Sequence, residues 1–146
     1  MRNLTRIAIL AGLAWAGPGL AQEKAIARGE KLYTEYCASC HGANLEGQED
    51  WQSPDENGVL RAPPHDHTGH TWHHDDGMLF DYTKLGGQTA LEQMGVTGVN
   101  SGMPGFADSL ADQDILDVLA FIKSTWPERV QEMQKQRTLA AQSKGN

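Results

Sequence analysis

The chain contains only two cysteines, three residues apart, with a histidine directly after the second: Cys37-Ala38-Ser39-Cys40-His41. No other feature constrains the fold as much, because C-x-x-C-H is the attachment pattern of c-type haem. Each thiol adds across one haem vinyl group, and the two intervening residues set the sulfurs under the two vinyls. The next residue then aims its imidazole at the iron from the same side. Other uses of these residues fit less well. A structural zinc site takes about four ligands, typically with a second Cys or His pair. A thioredoxin-like dithiol expects a βαβ setting, and a short disulfide leaves His41 without a role.

The N-terminal stretch is expected to be an export signal covering residues 1–21. Arg2 and Arg6 give a positive start, Ile7 to Leu20 is an apolar run of 14 residues, and Gly19-Leu20-Ala21 supplies small residues for cleavage after Ala21. The run falls short of the roughly 20 residues of a spanning helix, and Gly12, Gly17, Pro18 and Gly19 interrupt it. A periplasmic location follows as an expectation, with no spanning segment in the mature chain. Removing Arg2 and Arg6 from the 12 basic residues leaves 10 against 19 acids, a formal charge of −9. Such a balance argues against nucleic acid, whose phosphates need a basic face. It is compatible with a partner that presents Lys or Arg around its docking surface, and equally with plain solubility.

Hydrophobic periodicity predicts an all-α domain with long loops. Ile26, Gly29, Leu32, Tyr33 and Tyr36 recur at helical steps within Glu23–Tyr36, leading directly into Cys37. From Gly42 to His74, seven glycines and prolines forbid long regular elements. A short helix is expected from Asp75-Asp76 with Leu79, Tyr82 and Leu85 on one face, stopping at Gly86-Gly87, and another around Ala90–Met94. The clearest helix is Asp112–Trp126, with a stripe of Ile115, Val118, Leu119, Ile122 and Trp126. Pro127 then starts a polar tail, residues 127–146, helical to about Ala141 and expected to lie exposed or to fray. The main domain ahead of that tail is assigned to residues 22–126.

A six-coordinate haem iron takes a second axial ligand, and a methionine thioether stabilises the ferrous state and raises the potential. Met78 and Met94 sit in helical patterns, where methionine more often fills a core, and Met133 lies in the polar tail. Met103 stands in Ser101-Gly102-Met103-Pro104-Gly105-Phe106, where glycines allow close backbone approach and Pro104 stiffens the loop. His41 and Met103 are therefore the expected iron ligands.

Taken together, these elements resemble a class I cytochrome c, in that family's order, from about Glu23 to Trp126. The resemblance rests on the first helix with Gly29 and Tyr33, then Cys37-Ala38-Ser39-Cys40-His41-Gly42, Ala62-Pro63-Pro64, the Met103-Pro104 loop and a closing helix through Val118 and Phe121. It implies one covalent haem c per chain and a one-electron carrier rather than an enzyme. It implies that Gly29 lets the first and last helices cross closely, with Tyr33, Val118 and Phe121 around it. It also implies that the Pro63 carbonyl accepts from the second ring nitrogen of His41.

Two departures are visible. Ala111 stands where similar sequences often have Ser or Thr, so the cap of the last helix is expected at Asp112. Five histidines, His65, His67, His70, His73 and His74, crowd ten residues. Hydrogen bonding to loop backbone or propionates is the plainer expectation for them. The alternative is a copper or zinc site shared by His65, Asp66, His67 and His70, with a copper-handling role. A further alternative is an open iron site that binds a gas or peroxide, with a loop histidine as acid or base.

Overall fold

The computed structural model describes residues 18–144. Most of the expected leader lies outside the described residues, and the first helix begins at its last residues. That helix, α1, spans Pro18–Tyr36, and α2 (Ala38–His41) is the single turn that carries the second cysteine and the histidine. A 3-10 turn at Thr71–His73 precedes α3 (Asp76–Leu85), α4 (Gly87–Gln93), α5 (Asp112–Ser124) and α6 (Glu128–Lys144). The only β-structure among the described residues is a pair of isolated bridges, Pro54 with Leu60 and Leu60 with Ser101. The fold is all-α.

The crossing of α1 over α5 organises everything else. Gly29 lies against the backbone of Asp117, so close that a Cβ would collide with its carbonyl, and beside Cβ of Phe121. Asp117 is buried, and its carboxylate accepts from Arg28 Nη1 at 2.9 Å and Gln113 Nε2 at 2.8 Å. Arg28 also pairs with Asp114. A buried carboxylate without such donors would be costly; here Arg28 ties α1 to α5 and Gln113 donates from within α5.

Two apolar clusters flank this crossing. Tyr33, Cys37, Leu45, Val118, Ile122 and Trp126 form one. Leu79, Leu110, Ile115 and Leu119 form the other, and Leu32 and Tyr36 touch both. The α5 stripe thus divides between the clusters: Val118, Ile122 and Trp126 face one, Ile115 and Leu119 the other.

Three expectations are corrected. The cap of α5 falls at Ala111, not Asp112, because the Asp114 carboxylate reaches back to accept from the Ala111 N–H at 2.9 Å and completes the end from inside the helix. Gly87 opens α4 instead of ending α3, so that helix starts earlier than Ala90. The polar tail lies on the surface as expected, but its helix runs on to Lys144 rather than ending near Ala141. Gln134 is 3% exposed and donates to Asp76 Oδ1 at 2.7 Å and to the His74 carbonyl at 3.2 Å, while Val130 packs on the first cluster. Polar groups, not a hydrophobic stripe, dock α6.

Candidate haem site

The helical path of α1 continues through the cysteine motif. Cys37 N–H donates to Tyr33 O at 2.9 Å and His41 N–H to Cys37 O at 2.9 Å, which puts Cys37 and His41 one turn apart on a shared face. Gly42, at φ +83°, turns the chain away immediately afterwards, a conformation that suits glycine. Its carbonyl accepts from Tyr33 Oη at 3.0 Å. Cys37 is buried and Cys40 exposed, both as free thiols. Burial, then the neighbouring Cys40, push the Cys37 thiol up to about 11. Redox-active C-x-x-C pairs and thiolate metal sites depend on a lowered thiol pKa, so this environment suits neither.

His41 is 6% exposed. Its Nδ1 lies 2.9 Å from the carbonyl of Pro63, which can only accept, so Nδ1 carries the proton and Nε2 keeps its lone pair. Burial lowers its pKa, against the opposing effect of the Pro63 bond. The ring is a neutral imidazole, the form that binds metals. Nε2 makes no hydrogen bond among the described residues. Two thiols on one turn and an imidazole beside them, oriented through its other nitrogen, are a donor set that fits covalent haem.

Met103 sits across the fold in a loop fastened on both sides. Gly87 N–H donates to Met103 O at 3.0 Å, and Ser101 Oγ lies 3.4 Å from Met103 N and 3.1 Å from Tyr82 Oη. Ser101 N–H donates to Gln88 Oε1, Phe106 N–H to the carbonyls of Thr83 and Lys84, and Leu60 N–H to Asn100 O. Tyr36 on α1 meets the Phe106 ring edge-on at 6.3 Å. Met78 and Met94 instead line a surface pocket with Asp81, Ala90 and Gln93, and Met133 is exposed on α6.

The histidine cluster does not form the shared ion site considered above. Among the described residues no three His, Cys, Asp or Glu side chains come together as ligands. His65 turns inward and stacks on His41, with ring centroids 4.0 Å apart and planes 23° from parallel. His70 stacks on Trp51 at 5.2 Å and meets His74 edge-on, while His73 packs against Trp72 at 3.8 Å. The Asp66 carboxylate is occupied by Thr68. His65, His70 and His73 each pack on a different ring, so the density in sequence is dispersed in space. His65 is the site residue that hydropathy reasoning missed. Its place two residues after Pro63, in a stretch that Pro-Pro keeps extended, was the available signal.

Residues 26–126 match the sequence profile of the family described as Cytochrome c. The chain belongs to the cytochrome c family. No curated protein and no solved structure matches the chain. Cytochromes c hold haem c covalently through cysteines, and this cytochrome has Cys37 and Cys40 for that purpose. Bound haem supplies a one-electron iron couple, and electron transfer is the general activity of the family. In this cytochrome the two thiols and the oriented His41 ring stand next to the buried apolar cluster of Tyr33, Leu45 and Trp126.

Proposed function

We propose that this cytochrome is a dedicated one-electron carrier with His41 and Met103 as axial ligands, exported to the periplasm and cleaved after Ala21. The observation that carries the reading is the fastening of the Met103 loop. Hydrogen bonds at Asn100, Ser101, Met103 and Phe106 hold the loop to α3, α4 and the Leu60 segment. A thioether presented on a braced loop favours an iron that keeps six ligands in both oxidation states, with little reorganisation when an electron arrives or leaves. An open-site enzyme or gas sensor needs the opposite, a position free for an incoming ligand. Pro63 serves this function by holding the His41 tautomer through its carbonyl. The acidic balance of the chain favours redox partners with basic docking faces.

Optical spectroscopy of the haem-loaded protein tests the reading. A low-spin spectrum is expected in both oxidation states, with the weak far-red band of a thioether–ferric bond in the oxidised one. A high-spin ferric spectrum would refute it. Proteolytic mapping of the N-terminus of protein recovered from periplasm tests the export arm, with Gln22 as the expected first residue.

A further inference from the structure

We propose that His65 is a positioning residue for the iron-binding ring of His41, fixing the plane of that imidazole where the Pro63 hydrogen bond fixes only its direction. The inference rests on His41 being the iron ligand, as read above. A single bond from Nδ1 to a carbonyl leaves the ring free to rock about the N–O line. A second ring lying 4.0 Å away and 23° from parallel removes that freedom, because rocking closes one edge of the stack onto its neighbour.

His65 can serve as a template because it is itself held at every other point. Its N–H donates to Leu45 O at 2.8 Å, and its carbonyl accepts from Trp126 Nε1 at 2.7 Å. Its Nδ1 lies 2.9 Å from Thr71 Oγ1, and the edge of Tyr33 closes in at 6.2 Å. Thr71 is buried, and its hydroxyl lies 3.4 Å from the Pro64 carbonyl. A leucine could fill the volume but could not present a flat face. Imidazole is what this position uses. The orientation of an axial imidazole sets how its π orbitals overlap those of the iron, so the position bears on the electronic structure of the ferric state and on the reduction potential.

The test compares the haem-loaded full chain with His65→Leu, His65→Phe and Thr71→Val by low-temperature ferric EPR and by potentiometry. Removal of the flat face in His65→Leu is expected to broaden and shift the largest-g signal and to move the potential. His65→Phe, which restores a ring without its nitrogens, is expected to return the linewidth toward the native value. Thr71→Val keeps the imidazole but frees it, and broadening is expected there too. Native linewidth, g values and potential in His65→Leu would overturn the proposal, as would identical spectra for the leucine and phenylalanine variants. If the position 65 variants do not load haem, Thr71→Val decides: an unchanged signal overturns it. A missing far-red band in the unsubstituted protein would instead refute Met103 ligation and leave this comparison intact, since it reads the ring of His41.

Discussion

The indole N–H of Trp126 donates to the backbone carbonyl of His65 at 2.7 Å across 61 residues of chain. The bond joins the end of α5 to the extended stretch whose Pro63 carbonyl orients His41. Because the opposite side of that stretch is bonded to Leu45 O, the acceptor for His41 is held between the loop after the cysteine motif and the closing helix. The site is therefore as stable as the α1–α5 crossing that brings those parts together.

That crossing tolerates no added atom at position 29. Gly29→Ala forces a Cβ into the Asp117 carbonyl, and the helices must separate at their tightest point. Overpacking of this kind costs about 2–3 kcal/mol. Urea denaturation of the haem-loaded protein should show a midpoint lowered accordingly.

Met103→Ala should abolish the far-red band of the oxidised protein and turn the iron high-spin. Met78→Ala and Met94→Ala, at the separate surface pocket, should leave the band unchanged. Met103→His should keep six coordination but lower the reduction potential, since nitrogen stabilises ferrous iron less than sulfur does. A band that survives Met103→Ala would move the ligand elsewhere.

Gln134 is the polar pin of α6. Gln134→Ala leaves the His74 carbonyl without its side-chain donor and Asp76 Oδ1 with Lys123 alone, a loss of about 1–2 kcal/mol. Hydrogen exchange should accelerate along α6, while the optical spectrum of the haem stays native.

Acid should loosen the histidine-rich segment. Burial lowers the pKa of His70, with His73 adding to the effect; burial also lowers that of His74, with His70, His73 and Arg137 adding and Asp75 opposing. The folded state therefore binds fewer protons than the unfolded chain below the usual histidine value of 6.5. Stability is fully present above that value and declines as the pH falls through the lowered folded values. Protonation also gains no bond for His70, whose Nδ1 is buried without a partner. Denaturation midpoints should drop between pH 7.5 and pH 5.5, and a His70→Gln/His74→Gln variant should show a smaller drop.

Titration with Cu(II) and Zn(II) should give the same small heats for the haem-loaded native protein and a His67→Ala/His70→Ala variant. His65 stacks on His41 and His70 on Trp51, and no three ligands converge among the described residues. A stoichiometric binding step lost in the variant would restore the ion site.

Local chemistry was legible in the chain and long-range polar contact was not. Cys37, Cys40 and His41 fall within five residues, so their joint use follows from spacing alone. The α5 stripe is written in its hydrophobic period, and so is the face of α1. The docking of α6 depends on one glutamine among many in a polar tail, and hydropathy cannot distinguish the buried Gln134 from its exposed neighbours. The cap of α5, though not its start, differs from expectation because its capping carboxylate, Asp114, lies within the helix and the cap position itself carries only a methyl group. The histidine cluster suggested a common ligand because proximity in sequence is visible, whereas the stacking of His70 on Trp51 and of His65 on His41 links segments far apart in the chain.

The environment of Cys37 dates the attachment of its prosthetic group. In the closed fold Cys37 belongs to the buried cluster with Tyr33, Leu45 and Ile122, and burial with the neighbouring Cys40 pushes its thiol up to about 11. A protonated, enclosed thiol is a poor nucleophile. On an open chain the same residue is an ordinary cysteine, accessible alongside Cys40. Attachment at Cys37 is thus expected on the open chain, before α5 packs over it. Closure then seals a bond that the finished protein could not readily make for itself.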